Sequence, residues 1–330
     1  MLTDAFVNFY QRNQPPQTDL EEALHFLGEL EKWINISSEE THLEEISIQQ
    51  LDYLIAYLVS VEMNRVKYFI ILMRYFRVAK RNDLFIHMTK YTGSIGVIES
   101  IIEKIKPFVD DKTYQEALKR IPISPLGTPP KDMPQFTKTL MDYLEQILTP
   151  KQIEQVLANN HHHIPKEAFI EEKVYYESAE TLDDYLKDLH LRKVIELETC
   201  LQENRVWYEQ NITREVIDFV KNNQEILSAV RHDDKLYITK IPYDTKAYLE
   251  AENSLEKKYH VCHCPFIKAI FLDENYHLSP SWCYCSGGFT KYPFEVIFDQ
   301  ELVVELIETP LKDDKLCRFA ISLHNVDYKR

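Results

Sequence analysis

Five prolines fall within the thirteen residues "PISPLGTPPKDMP" at 122–134. Each removes a backbone donor and biases the residue before it away from the helical region, so no regular element is expected to cross this stretch. It is the strongest division in the chain. The expected organisation is an all-helical domain over 1–121, a proline-rich linker over 122–134 and a second domain over 135–330. At 330 residues the chain is long enough for two domains that each bury a core.

Before the prolines the apolar residues recur with helical spacing. Leu51, Leu54, Ile55 and Leu58 mark one face, and Val66, Phe69, Ile70, Met73 and Phe76 mark the next. A further segment, "SIGVIESIIEKIKPF", stops near Pro107. Short connections fit a helical bundle.

After the prolines come "FTKTLMDYLEQIL" and "TPKQIEQVL", the second with Thr149 as cap and Pro150 in the first turn. Two more helices open on Thr181, which forms a capping-box pattern with Asp184, and on Thr213. The period then changes. "KLYITKIPY", "ELVVELIET" and "KLCRFAISL" alternate with period two, the last two flanking the turn-forming "PLKDDK". The fold class read from this pattern is α+β: a helical bundle, then a helix-rich domain ending in a small antiparallel sheet.

Six glycines in the whole chain argue against Gly-rich phosphate loops and against turn-dense barrels and sandwiches. No dinucleotide or phosphate signature is present. A net charge of −15 disfavours general binding to nucleic acid or to anionic membranes. The stretch 63–81 is a local exception, with six Lys or Arg and no acid. Its helical setting is loosely similar to the DNA-clasping domain of tyrosine recombinases. No matching set of catalytic Arg, His and Tyr motifs follows, so a solvated face pairing with the acidic remainder is the expected role. The N-terminus lacks a basic start followed by an apolar run, and no stretch reaches the eighteen apolar residues of a membrane span. A reducing cytoplasm is the expected compartment, which turns attention from disulfides to metal or thiol chemistry.

Five of the six cysteines lie between residues 262 and 317. They read as C-H-C (Cys262, Cys264), then C-Y-C (Cys283, Cys285) eighteen residues on, and finally Cys317. Tetrahedral zinc takes four N or S ligands, and two close pairs bring most of them with little loop entropy. C-x-C is a looser signal than C-x2-C, since its sulfurs share a face only on an extended strand. Three roles stay open: metal binding, thiol chemistry, and inert burial, a common fate of free cysteine. A helix beginning near Gly287 would direct its N-terminal dipole at Cys285 and favour the thiolate.

The segments "CHCPFIKAIF", "CYCSGGFTKYPFEVIF" and "VVELIETPLKDDKLCRFAI" follow one another as in the L-2-amino-thiazoline-4-carboxylic acid hydrolase-like bacterial proteins. The same ending resembles the 4-vinyl reductase-type domain of phenol-sensing activators, where cysteines and a glutamate hold zinc near a ligand pocket. The resemblance covers roughly residues 235–323. It implies that Cys285 and Cys317 correspond to the helix-start and final-strand cysteines, and that Glu305 or Glu308 is the acidic ligand. The sensors' further cysteine before the turn is missing from "LIETPLKDD", so Cys262, Cys264 or Cys283 would have to replace it.

His260 and His263 flank the first cysteine, and His263 in particular could serve as ligand or base. In "NNHHHIP" a solvated helix end is expected, closed by Asn160 in a left-handed conformation; His161 and His163 could otherwise share a site.

The expected function is zinc binding by the clustered cysteines beside a small-molecule pocket, as a binding module or a metal-assisted hydrolase. The alternative is a cysteine hydrolase acting on a small amide or cyclic amidine, with Cys285 or Cys264 as nucleophile and His263 as base. A purely structural or interaction protein is the third reading. The expected partner is a small-molecule ligand, not nucleic acid or membrane, with a homodimer left open.

Overall fold

The computed structural model describes residues 2–13, 15, 19–36, 41–273 and 276–330. The chain forms two compact units, one of residues 1–95 with 124–130, the other of 96–123 with 131–330.

The first unit is helical: α1 (Thr3–Asn13), α2 (Leu20–Ile36), α3 (Ile48–Ser60), α4 (Val66–Val78) and α5 (Asn82–Thr92). Ser47 opens α3 with a full capping box involving Gln50. The face Leu51, Leu54, Ile55, Leu58 is buried as expected. On α4 the buried set is Phe69, Ile71, Leu72, Tyr75 and Phe76, while Val66, in the first turn, is exposed.

The second unit begins with α6 (Val97–Ile105) and α7 (Asp111–Arg120). These helices were expected with the N-terminal domain. Their apolar side chains instead join one core with Leu140, Leu144, Ile153, Phe266 and Trp282. The proline-rich stretch is split as well, since residues 124–130 pack with the first unit. There Asn64 donates to the Leu126 carbonyl at 2.8 Å. Gly127, at φ +91°, lies where a side chain would meet Val59 and Ile55. Prolines end elements, but the next helix goes wherever its apolar face is best buried.

Then follow α8 (Met133–Ile147), α9 (Pro150–Leu157), α10 (Ile170–Ser178), α11 (Leu182–Gln202) and α12 (Arg214–Lys221). Thr149, Thr181 and Thr213 each accept a backbone N–H at their helix start, at α9, α11 and α12. After β1 (Val230–His232) and β2 (Lys235–Thr239) come α13 (Thr245–Glu250) and α14 (Ser254–Val261), then α15 (Tyr284–Phe298), β3 (Val304–Glu308) and β4 (Arg318–Ser322).

The strands form one antiparallel sheet in the order β1-β2-β4-β3. Leu236 pairs with Ile321, and Leu306 with Phe319, before an irregularity shifts β3 between Leu306 and Glu308. Leu236, Phe319, Ile321 and Val304 share a core with Phe294 and Ile297 of α15. The architecture is thus α+β, largely helical with a small sheet near the C-terminus. Among the described residues no helix is long and apolar enough to cross a membrane.

Helix α15 sits tightly in this unit. A Cβ on Gly287 would come within 3.2 Å of Val304 and 3.3 Å of Phe319. One on Gly288 would reach the Asn159 carbonyl oxygen at 2.4 Å and its nitrogen at 2.5 Å. The Gly-Gly step therefore serves close approach of α15 to the sheet on one side and to the backbone after α9 on the other.

Candidate functional site

Strand β2 ends at Thr239, and the next residue, Lys240, is anchored by its backbone N–H to the Cys317 carbonyl at 2.9 Å. Its ammonium donates to Ser286 Oγ at 3.0 Å and lies 5.1 Å from the Phe289 ring centroid. Ser286 and Phe289 belong to the first turns of α15, and the edge of His162 meets Phe289 with centroids 5.5 Å apart. Lys240 therefore sits where the sheet, α15 and the segment after α9 meet.

Glu209 is brought to the same place by a clamp. Trp207 and Gln210 pair backbone to backbone across it, and Trp207 Nε1 donates to Glu196 at 2.9 Å. Gln210 is buried; its amide donates to the Pro242 carbonyl at 3.3 Å and accepts from Thr245 Oγ1 at 3.0 Å. Residues 207–210 are thus tied to the chain just beyond Lys240. Lys268, on the same side, is buried with its ammonium 3.6 Å from the Tyr243 ring centroid and 4.7 Å from that of Tyr259.

Burial raises the Glu209 carboxyl pKa, with Lys240 and then Lys268 pulling it back down. Burial lowers His162 to about 4, and Lys240 adds to the effect. Yet neither side chain is sealed: Glu209 is half-buried and His162 keeps accessible surface. These groups share one place in the second unit that water still reaches.

The charges in it do not neutralise each other. Glu209 feels Lys240 and Lys268, but among the described residues it forms no ion pair or hydrogen bond, and no carboxylate lies within 4.0 Å of Lys240. Tyr276 Oη is the one sealed side-chain polar atom without a partner among the described residues, so the free oxygens of Glu209 remain open to water.

The cysteines form the back of this site. Cys262, Cys283, Cys285 and Cys317 are buried, Cys264 is half-buried, and all are free thiols. They are near enough that a thiolate on one raises the pKa of its neighbours, as Cys264 does for Cys262, Cys285 and Cys317. Burial pushes Cys285 well above the ordinary thiol range, and Cys317 rises to about 11. This overturns the expected thiolate at Cys285. A 3-10 turn, Pro280–Cys283, leads directly into α15, so the helix begins at Tyr284 and carries Cys285 into the apolar core. Desolvation outweighs the helix dipole there.

The expected metal ligands point at protein partners. Trp282 Nε1 donates to Cys264 Sγ at 3.2 Å, and Cys283 Sγ is 3.0 Å from Thr309 Oγ1. Glu305 lies on β3 in an ion pair with Lys235, at 2.7 and 2.9 Å, and Glu308 faces Arg318 at 3.8 Å. Among the described residues no three His, Cys, Asp or Glu side chains are grouped to hold an ion.

His263 is bonded through Nε2 to the Ile241 carbonyl at 2.6 Å and packs edge-on against Tyr243, and burial lowers its pKa well below the usual range. That nitrogen is its donor, which leaves Nδ1 as the acceptor. His260 is held low by burial as well.

The histidine run follows the end of α9 and is solvated only in part: His162 and His163 are exposed, His161 is not. His161 is fully buried, bonded to Ser100 Oγ at 3.0 Å and to the Val156 carbonyl at 2.9 Å, and it ties α6 to α9. The left-handed residue is His163, at φ 50°, not Asn160.

In the basic stretch, Lys67 pairs with Glu22 and Arg81 with Asp83 at 2.6 Å. Arg74 and Arg77 lie over the rings of Tyr10 and Phe85.

Sequence reasoning did not single out Glu209, Lys240, Ser286 or His162. The position of Ser286 between a cysteine and Gly-Gly was a weak signal; Glu209 had none.

Residues 211–328 match the model of a family of unknown function (DUF6144). No curated protein and no solved structure matches the chain. The matched segment contains Lys240, the five clustered cysteines, Ser286 and the sheet, and it excludes Glu209 and His162.

Proposed function

We propose that the second unit binds a small polar organic molecule in a concavity around Lys240 and Glu209, with the cysteine cluster as its rear wall. The supporting observation is that Lys240 acts on the Glu209 carboxyl while the two remain half-accessible and form no ion pair with each other. A carboxylate and an ammonium left apart in a crowded place cost stability unless something else satisfies them. A ligand offering an anionic or acceptor group to Lys240 and a donor to Glu209 would do so, with the exposed Phe289 ring supplying flat apolar surface.

A second reading is favoured by one observation, the mutual influence of the five thiols. Rotation of Cys262, Cys264, Cys283 and Cys317 would be needed to place four sulfurs around zinc, which would act as a fold-closing ion behind the same concavity.

The test is a melting-temperature survey with small organic acids, amines and amino acids, with metal content measured on the same samples. Rises that disappear in both Lys240→Met and Glu209→Gln support the ligand site. Ligand-independent melting, with about one zinc per chain whose removal releases reactive thiols, would replace it with the metal reading.

A further inference from the structure

We infer that the ligand is a free amino acid with an apolar side chain: Lys240 and Ser286 hold its carboxylate, Glu209 its ammonium, and Phe289 its side chain. This rests on the reading of the place around Lys240 and Glu209 as a ligand site and names the class of molecule it takes.

Lys240 and Ser286 form a pair of donors. The ammonium uses one N–H on Ser286 Oγ at 3.0 Å, which leaves the serine's own proton to donate elsewhere. Ser286 makes no other hydrogen bond among the described residues, and none of them places a carboxylate within 4.0 Å of Lys240. A hydroxyl and an ammonium side by side offer one donor to each oxygen of a single carboxylate.

The apolar contact lies beside that pair. Ser286 and Phe289 are three residues apart on α15 and so share a face. Cys285, Gly287, Gly288 and Thr290 around them are buried, but Phe289 is 40% exposed. Lys240 lies 5.1 Å from its ring centroid, and the exposed His162 meets the ring edge-on. A lone exposed phenylalanine is ordinary surface. This one stands within a helical turn, about 5.4 Å, of two donors with capacity to spare, a span that a molecule the size of an amino acid bridges.

Glu209 supplies the opposite charge. Gln210 ties its turn to the Pro242 carbonyl at 3.3 Å, two residues beyond Lys240, and accepts from Thr245 Oγ1 at 3.0 Å. The carboxylate so placed feels Lys240 and Lys268, yet it has no hydrogen bond or ion pair among the described residues. A simple acid bound at Lys240 would bring a second anion near Glu209, and a simple amine would leave Lys240 unanswered. A ligand carrying both charges on adjacent carbons satisfies the two ends at once.

The experiment is measurement of dissociation constants on the full chain with two series of probes. One is phenylalanine, phenylalaninamide without the carboxylate and 3-phenylpropanoate without the amine; the other is leucine, leucinamide and 4-methylpentanoate. Glycine serves both as the amino acid without a side chain. In at least one series the amino acid should bind about tenfold or more tighter than its amide, its deaminated acid and glycine, the range of one hydrogen bond to a charged group. Each preference should disappear in its own variant: over the deaminated acid in Glu209→Gln, over the amide in Lys240→Met, over glycine in Phe289→Ala. Ser286→Ala should shrink the preference over the amide severalfold and leave that over the deaminated acid. These are ratios within one protein sample, so a loss of folded material cannot imitate them. An amino acid no tighter than its fragments in both series, or a preference that survives its own variant, would overturn the inference. Other small acids or amines that bind through Lys240 and Glu209 without any preference for amino acids keep the ligand site and remove this class of ligand. Binding by no compound removes both.

Discussion

In the first unit, Asp52 on α3 accepts from Tyr91 Oη at 2.6 Å and lies 2.5 Å from His87 Nε2, both offered by successive turns of α5. Arg81 is held there by Asp83 and by the carbonyls of Glu44 and Ile46. In the second unit, Glu209 and Lys240 are just as surrounded by protein, but each lacks the charged partner the other could supply. Polar groups that close on one another stabilise a fold and leave nothing for a ligand. Those held apart cost stability and keep their hydrogen-bonding capacity for something else. That contrast, more than the cysteine count, locates the candidate site.

The contrast can be broken first at the helix that carries the site. Gly288→Val places side-chain atoms on the Asn159 backbone, where nothing can yield cheaply. It should cost about 3 kcal/mol or more, read by denaturant unfolding. An unchanged midpoint would mean that α15 does not depend on this close approach.

The next effect is one of pH. Burial lowers His161 to about 4, and its neighbours His162 and Lys104 also disfavour the charged ring, so the folded state holds the neutral form. A group with a depressed basic pKa contributes its stability above the unfolded value, near 6.5, and loses it as pH falls toward 4. The loss should be on the order of 3 kcal/mol. His161→Gln should flatten the dependence of unfolding free energy on pH between 6.5 and 4.

Two helix caps sharpen the comparison between units. Ser47→Ala in the first and Thr149→Ala in the second each remove a capping box. Each should lower stability by about 1 kcal/mol. Fluorescence would follow Trp33 for the first unit and Trp207 and Trp282 for the second.

The smallest effect carries an opposite sign. Glu209 has a raised pKa, so its ionised form is disfavoured by folding, and stability increases as pH falls through that value. Glu209→Gln should therefore leave the unfolding free energy unchanged or raise it by up to about 1 kcal/mol, while weakening ligand binding. A clear loss of stability would show that Glu209 serves the fold.

What could be read from the chain follows the range of the interactions involved. Thr149, Thr181 and Thr213 were recognisable as caps because a cap is a matter of three or four residues. The period-two segments were recognisable as strands for the same reason. The assignment of α6 and α7 was not, because it depends on which distant apolar residues bury them. The spacing of the cysteines brought attention to the right end of the chain. It gave no sign that burial keeps Cys285 protonated, or that Glu305 is already paired with Lys235. Residues 162, 209, 240 and 286 come together only in the folded unit, and no local pattern announces a charge left without a partner.

The most direct measurement is a ligand-observed NMR screen of small acids, amines and amino acids against the wild-type chain and the double variant Glu209→Gln/Lys240→Met. The account predicts a set of compounds that bind the wild type and lose binding in the folded double variant. Retention of the same set by the double variant, or no binding to the wild type, would contradict it.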